Sequence, residues 1–189
     1  MKGLHALVLA AGAGSRFGGA KLMTPWRGGV LLDGALAAAK TAPVEAVWGV
    51  VGADPAVAAH FKAKGAHVVE ARDHALGLSA SLKAGIAALP RDAAGVIVFL
   101  GDMPLTPRTV PVQLAEALAA GAPAAVPTFE GRVGNPAAIS ACLFMELLAL
   151  QGDKGARAVL EGLGDALVRV PAPDAGVLID VDRPDDLPA

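Results

Sequence analysis

The sequence predicts a single-domain α/β fold, a three-layer α/β/α sandwich around a mainly parallel sheet. Three observations predict it. The chain has 189 residues, close to the usual size of one domain and too few for two of full size. Short apolar runs rich in β-branched residues alternate with Ala- and Leu-rich segments, the order of β-α-β units. The first run leads into a cluster of glycines, as a strand buried on both faces does when it opens into a ligand loop.

The elements follow in order. Residues 4–10 are continuously apolar and form the first strand; 46–51, 67–70 and 96–100 repeat the pattern. Between and after them, residues 32–42, 55–64, 79–89 and 107–120 read as helices. Asp54-Pro55 and Thr106-Pro107 each place a capping residue before a proline, which predicts helix starts at both points. Beyond residue 122 the pattern loosens. Strands are expected at 124–129, 137–140, 167–170 and 177–181, helices at 141–150 and 154–161, and one of these late strands runs antiparallel. In such a sheet the ligand crevice lies at the carboxyl ends of the strands, so functional residues should follow strands directly.

Composition narrows the function. Apolar residues make up 54% and charged ones 18%, which supplies a core and excludes intrinsic disorder. A net charge of −2 lacks the basic footprint of a nucleic-acid binder. The lone Cys142 has no disulfide partner and fits no metal-ligand spacing, which points to a reducing, cytoplasmic setting. No apolar run reaches the length of a membrane span, because Glu45, Asp54, Asp92 and Asp102 interrupt the most hydrophobic stretches. The N-terminal segment superficially mimics a signal peptide, but its apolar run is short and ends in a glycine-rich turn carrying Arg16.

Two sets of residues carry chemistry. After the first strand, Gly12, Gly14, Gly18 and Gly19 allow backbone N–H groups to approach an anion, and Arg16 and Lys21 add two cations suited to a triphosphate. The loop is not the GxxxxGK[ST] phosphate loop, since Leu22 follows Lys21. It meets the dinucleotide fingerprint GxGxxG only in part, with Phe17 at the third glycine position. The second set is acidic. Asp102 follows the strand 96–100, and Asp180 and Asp182 end another β-branched run, two residues apart and on one face if extended. Carboxylates from two strand ends opposite a cationic glycine loop suit Mg²⁺, which takes one or two carboxylates and completes its shell with phosphate oxygens and water. Asp185 and Asp186, after Pro184, read as caps of a last helical turn.

With these residues in view, the chain from Leu4 to Leu187 resembles the MobA-like nucleotidyltransferases. The pattern LAAGxSxRFGxxK is matched at Leu9 to Lys21 with Ala13-Gly14-Ser15 in its centre. Further matches are KLMTPWRGGVLLDGAL from Lys21, Gly77-Leu78-Ser79-Ala80-Ser81-Leu82, Gly101-Asp102-Met103-Pro104, Gly134-Asn135-Pro136, Gly152 to Arg157, and the terminal Asp-Val-Asp-Arg-Pro-Asp-Asp. The resemblance implies one domain over residues 1–189, a Rossmann-like fold of the nucleotide-diphospho-sugar transferase kind, and Mg²⁺ as cofactor. It implies transfer of a nucleoside monophosphate from an NTP to a phosphorylated acceptor with release of pyrophosphate. By position, Leu9, Ala10, Ala11, Gly12, Ala13, Gly14, Ser15, Arg16 and Lys21 would hold the nucleotide together with Gly77, Ser79, Ser81 and Asp102. Lys21, Arg16 and Asp102 would be catalytic; Asp102 would hold the metal with Asp182 or Asp180. The AAG loop and the serine-rich GLSASL resemble the branch that forms molybdopterin cytosine dinucleotide from CTP, with a molybdenum hydroxylase as a partner. Two segments depart from the family pattern: Gly134-Asn135-Pro136 stands for GHP, and Asp182-Arg183-Pro184-Asp185-Asp186 for DTPED.

Alternatives stay open at this point. The same chemistry can use GTP or another acceptor; the partial fingerprint allows an NAD(P)-binding oxidoreductase; a non-catalytic carrier of a pterin dinucleotide would bind without turnover. His5, His60, His67 and His74 show no ligand spacing and read as structural, with His74 close enough to the Gly77 loop to touch a substrate. Cys142, Trp26 and Trp48 read as packing residues.

Overall fold

A computed structural model describes residues 2–12, 17, 19–73, 77–151 and 155–187. Its element order is β1 (Leu4–Ala10), β2 (Pro25–Trp26), β3 (Gly29–Val30), α1 (Leu32–Ala39), β4 (Ala46–Val51), α2 (Pro55–Ala63), β5 (His67–Glu70), α3 (Leu78–Ala88) and β6 (Gly95–Leu100). There follow α4 (Thr109–Ala119), β7 (Ala124–Phe129), β8 (Arg132–Val133), β9 (Ala137–Ser140), α5 (Phe144–Ala149), α6 (Arg157–Gly162) and β10 (Leu167–Pro171). The main sheet runs β10-β7-β9-β6-β1-β4-β5, with β8 paired to β7. β1 pairs in parallel with both β4 and β6, whereas β9 is antiparallel to β6 and to β7. The expected α/β sandwich, mainly parallel with an antiparallel insertion, is what forms.

The layering follows from strand periodicity. Every residue of β1 is buried. Leu4, Ala6 and Val8 pack into one core with α1, α2 and α4, while Leu7 and Leu9 pack into a second with Leu82 and Ile86 of α3 and Leu147 of α5. Each fully buried Leu or Val here contributes roughly 1.5–3 kcal/mol relative to exposure. Small residues admit the close approaches: a Cβ on Gly49 of β4 would run into the Phe61 ring, and one on Gly34 of α1 into the backbone of Pro104.

Helix ends show where local chemistry decides. Asp54 caps α2 as its sequence predicts, its Oδ1 accepting from Ala56 N–H at 2.9 Å with Pro55 next in line. Thr106-Pro107 does not cap α4. Thr106 is buried, and the helix starts at Thr109 with Arg108 at its head and no side-chain cap. The strand expected at 177–181 is also absent: residues Ala175–Leu178 make a 3-10 turn whose Asp174 side chain accepts from Gly176 N–H. Its backbone bonds go to loops instead, Asn135 N–H to the Val177 carbonyl and Val181 N–H to the Asp102 carbonyl. Among the described residues no helix is long and apolar enough to cross a membrane.

One buried polar group is left over at the amino end of the sheet. His5 of β1 is 3% exposed, receives a long 3.5 Å contact from Trp48 Nε1, and has no partner for its Nε2. Burial holds its pKa below the ordinary 6.5; Glu45 and Asp92 oppose that, and His67, stacked on Trp48, adds to it. A depressed histidine pKa means that the unfolded chain binds the proton first, so stability present above about pH 6.5 is lost as the pH falls below it. Thermal unfolding between pH 5 and 8 should show this loss in the native chain and a shallower one in His5→Leu. Parallel pH curves for the two would refute the assignment.

Candidate active site

The site forms where the sheet changes direction, since β1 sends the chain to β4 on one side and is flanked by β6 on the other. The β1–β6 pairing extends one bond beyond the strands, Gly101 N–H donating to the Leu9 carbonyl at 2.9 Å. A Cβ on Gly101 would lie 3.1 Å from that carbonyl, so glycine allows the two strand ends to stay in contact. Asp102 therefore emerges beside the start of the glycine loop. The structure brings Asp102 and Lys21, two of the expected site residues, into contact.

Lys21 sits in a short 3-10 turn, Lys21–Met23, anchored by buried Leu22. Its ammonium lies 2.7 Å from Asp102 Oδ2 and 3.4 Å from Asp182 Oδ1, with the lysine side chain only 11% exposed. Two carboxylates from separate loops thus converge on one cation. Asp182 is held there by its own segment: Asp186 Oδ2 accepts from Asp182 N–H at 3.0 Å and from Arg183 N–H at 2.7 Å. Asp186 is the cap the sequence suggested, and its positioning of Asp182 was not foreseen. Asp180, by contrast, is exposed, and the carboxylate beside Lys21 is that of Asp182.

A cavity of about 350 Å³ joins Leu9, Ala11 and Gly12 to Gly77, Ser81 and Asp102. A second, of about 240 Å³, lies between Ala10, Gly12, Lys21 and the β4 exit at Gly52 and Asp54. The latter two residues were not in the predicted site; their place after β4, next to β1, is the signal that could have found them. Ser79 and Ser81 separate. Both are buried, but Ser81 faces the cavity with Asp102, whereas Ser79 lines another of about 550 Å³ beside Glu70 and Lys83. Two residues apart on a helix is about 200° of rotation, so one face cannot hold both. Ala13, Gly14, Ser15, Arg16 and His74 lie outside the described residues.

The donor set suits a hard divalent cation. Two carboxylate oxygens already share one positive group, and among the described residues no cluster of three or more His, Cys, Asp or Glu could enclose a metal alone. A divalent ion held by Asp102 and Asp182 would have coordination left for phosphate and water.

Comparison with known proteins places the fold. The model of the MobA-like NTP transferase domain matches residues 6–170, and the chain belongs to that family. It is a nucleotidyltransferase. Among solved structures, Rv0371c of Mycobacterium tuberculosis H37Rv is 28% identical, with a TM-score of 0.84 over 97% of this chain and 95% of that one. A structure of Rv0371c in complex with manganese superposes with a TM-score of 0.80 at 26% identity, over 97% and 95% of the two chains. The nucleotidyl transferase Mth528 of Methanothermobacter shares the fold, with a TM-score of 0.83 at 24% identity over 98% and 94%. No curated protein matches the sequence.

Proposed function

We propose that the whole chain acts as one cytidylyltransferase domain, moving CMP from CTP to the terminal phosphate of a molybdopterin-type acceptor with release of pyrophosphate. The observation that carries this reading is the 350 Å³ cavity, which brings the end of β1, the head of α3 and Asp102 around one space. Leu9, Ala11 and Gly12 offer backbone groups to base and ribose there, and Ser81 offers a hydroxyl to the base. Lys21, with Arg16 of the same loop, is assigned to the phosphates. The GLSASL segment, similar to that of the cytidylyl branch, supports CTP over GTP.

Asp102 and Asp182 are assigned to Mg²⁺; that Rv0371c forms a complex with manganese supports a divalent ion as the cofactor. Asp102 and Asp182 would hold the ion, which would supply Lewis-acid charge neutralisation to the phosphates. The chain's own residues do the rest. An acceptor phosphate oxygen attacks the α-phosphorus of CTP; the new P–O bond forms as the bond to the bridging α–β oxygen breaks, and pyrophosphate leaves. The acceptor oxygen is already anionic, so no general base is required. Catalysis rests on alignment and on the positive charge of Lys21 and Arg16. Family membership favours this transfer over the oxidoreductase and carrier alternatives.

Thermal stabilisation by CTP, GTP, ATP, UTP and NADPH, each with and without Mg²⁺, tests the nucleotide half. CTP with Mg²⁺ at a hundredfold excess over its Kd should stabilise by about 2.7 kcal/mol, and the others should fall well short. Equal stabilisation by GTP would overturn the cytidylyl assignment. Release of pyrophosphate only on addition of a pterin monophosphate tests the acceptor.

A further inference from the structure

Asp182 is the more exposed of the two carboxylates at Lys21, its side chain 44% exposed against 27% for Asp102. The aim of so exposed a side chain depends on where its backbone is held and on the hydrogen bonds behind it. That backbone is held from both directions. On one side, Val181 is fully buried and donates its N–H to the Asp102 carbonyl at 3.0 Å, which ties the segment of one carboxylate to that of the other. On the other side, Asp186 Oδ2 accepts from Asp182 N–H at 3.0 Å and from Arg183 N–H at 2.7 Å.

The intervening sequence brings Asp186 back to this point. Residues Pro184–Asp186 form a 3-10 turn, closed by Asp186 N–H on the Arg183 carbonyl and by Leu187 N–H on the Pro184 carbonyl. Proline suits the first position of such a turn, because its φ is already set and it has no N–H to satisfy. Asp186 itself is exposed and belongs to neither core. Nor does it join the pair as a third ligand: among the described residues no group of three or more His, Cys, Asp or Glu could hold an ion. Its neighbour Asp185 is exposed too and takes no part in the two bonds to Asp182 and Arg183, so the two acids separate hydrogen bonding from charge.

We propose that Asp186 is a positioning residue for the divalent ion, which sets how tightly the ion is held by fixing Asp182 beside Asp102. This role presupposes that Asp102 and Asp182 hold the ion. Asp186 acts through the Asp182 backbone, and removal of a group that orients a metal ligand typically costs tenfold or more in affinity. A single oxygen gathering two successive N–H groups needs only an acceptor at that place, so asparagine should serve nearly as well as aspartate.

Mn²⁺ titrated into the nucleotide-free chain, with the free ion followed by electron paramagnetic resonance, tests this without turnover. Asp186→Ala should weaken Mn²⁺ binding about tenfold. Asp186→Asn, which keeps an acceptor oxygen, and Asp185→Ala, which removes only charge, should stay within about threefold of the native chain. In Asp186→Ala, hydrogen exchange at the Asp182 and Arg183 amides should also quicken in metal-free buffer, a direct reading of the two lost bonds. Asp182→Ala should abolish binding. Unchanged binding in Asp182→Ala, or none in the native chain, would remove the carboxylate pair as the metal site and the role of Asp186 with it. Loss in Asp182→Ala beside native affinity in Asp186→Ala would overturn the positioning role alone. Equal weakening in Asp186→Ala, Asp186→Asn and Asp185→Ala would overturn it as well, since that is the mark of charge rather than of orientation.

Discussion

Asp102→Ala is expected to lower kcat about a thousandfold, near 4 kcal/mol of transition-state stabilisation, while leaving the sheet folded. The argument is positional. Among the described residues Asp102 is the carboxylate nearest Lys21, at 2.7 Å, and the only acidic group on the 350 Å³ cavity. Its role in the fold is carried by its backbone, whose carbonyl accepts from Val181 N–H at 3.0 Å whatever the side chain. Stability should therefore change little: a partly exposed ion pair contributes about 1 kcal/mol or less. Pyrophosphate release and thermal unfolding measured on the same preparation separate the two effects. A variant that unfolds earlier yet turns over normally would reduce the Lys21–Asp102 contact to a structural ion pair.

Lys21→Met carries a second, more discriminating expectation. The ammonium occupies the space between Asp102 and Asp182, the same two carboxylates assigned to the metal. On the proposed assignment an ion and the lysine would compete for these oxygens. Removing the competitor should lower the metal concentration needed for half-maximal activity. Removing the phosphate partner should lower kcat, by about a hundredfold for the loss of one charged donor. The opposite signs are the test. A uniform rise in both metal requirement and barrier would mean that Lys21 helps to hold the ion rather than standing in its place.

Much of this was legible in the sequence because the governing patterns are local. The strands at 4–10, 46–51 and 124–129 match their observed bounds, since largely apolar runs between turn residues mark their own ends. What escaped depends on contacts distant in the chain. The β2–β3 hairpin has strands of two residues each, too short for any periodicity, and is fixed by Arg27 and Gly28 adopting left-handed φ. The run at 177–181 has the composition of a strand but no neighbour to pair with, because its hydrogen bonds go to the 135 and 102 loops. At the site, Lys21 and Asp102 were readable from their places after β1 and β6. The choice of Asp182 over Asp180 was not, because it depends on Asp186 gathering two N–H groups across a turn. Ser79 was grouped with Ser81 by motif, where helical geometry divides them.

The second carboxylate reaches the site only after the last strand. β10 ends at Pro171, whereas Asp182 and its anchor Asp186 come later, laid across the sheet by the bonds from Asn135 to Val177 and from Val181 to Asp102. During synthesis, then, the whole sheet can assemble while the chemistry is still missing a part. A chain clipped just after β10 would retain every strand, but it would lose Val177, which is fully buried in one of the two cores, together with Asp182 beside Lys21. Protease damage near residue 175 would thus cost the sheet part of its packing at the same time as the second carboxylate.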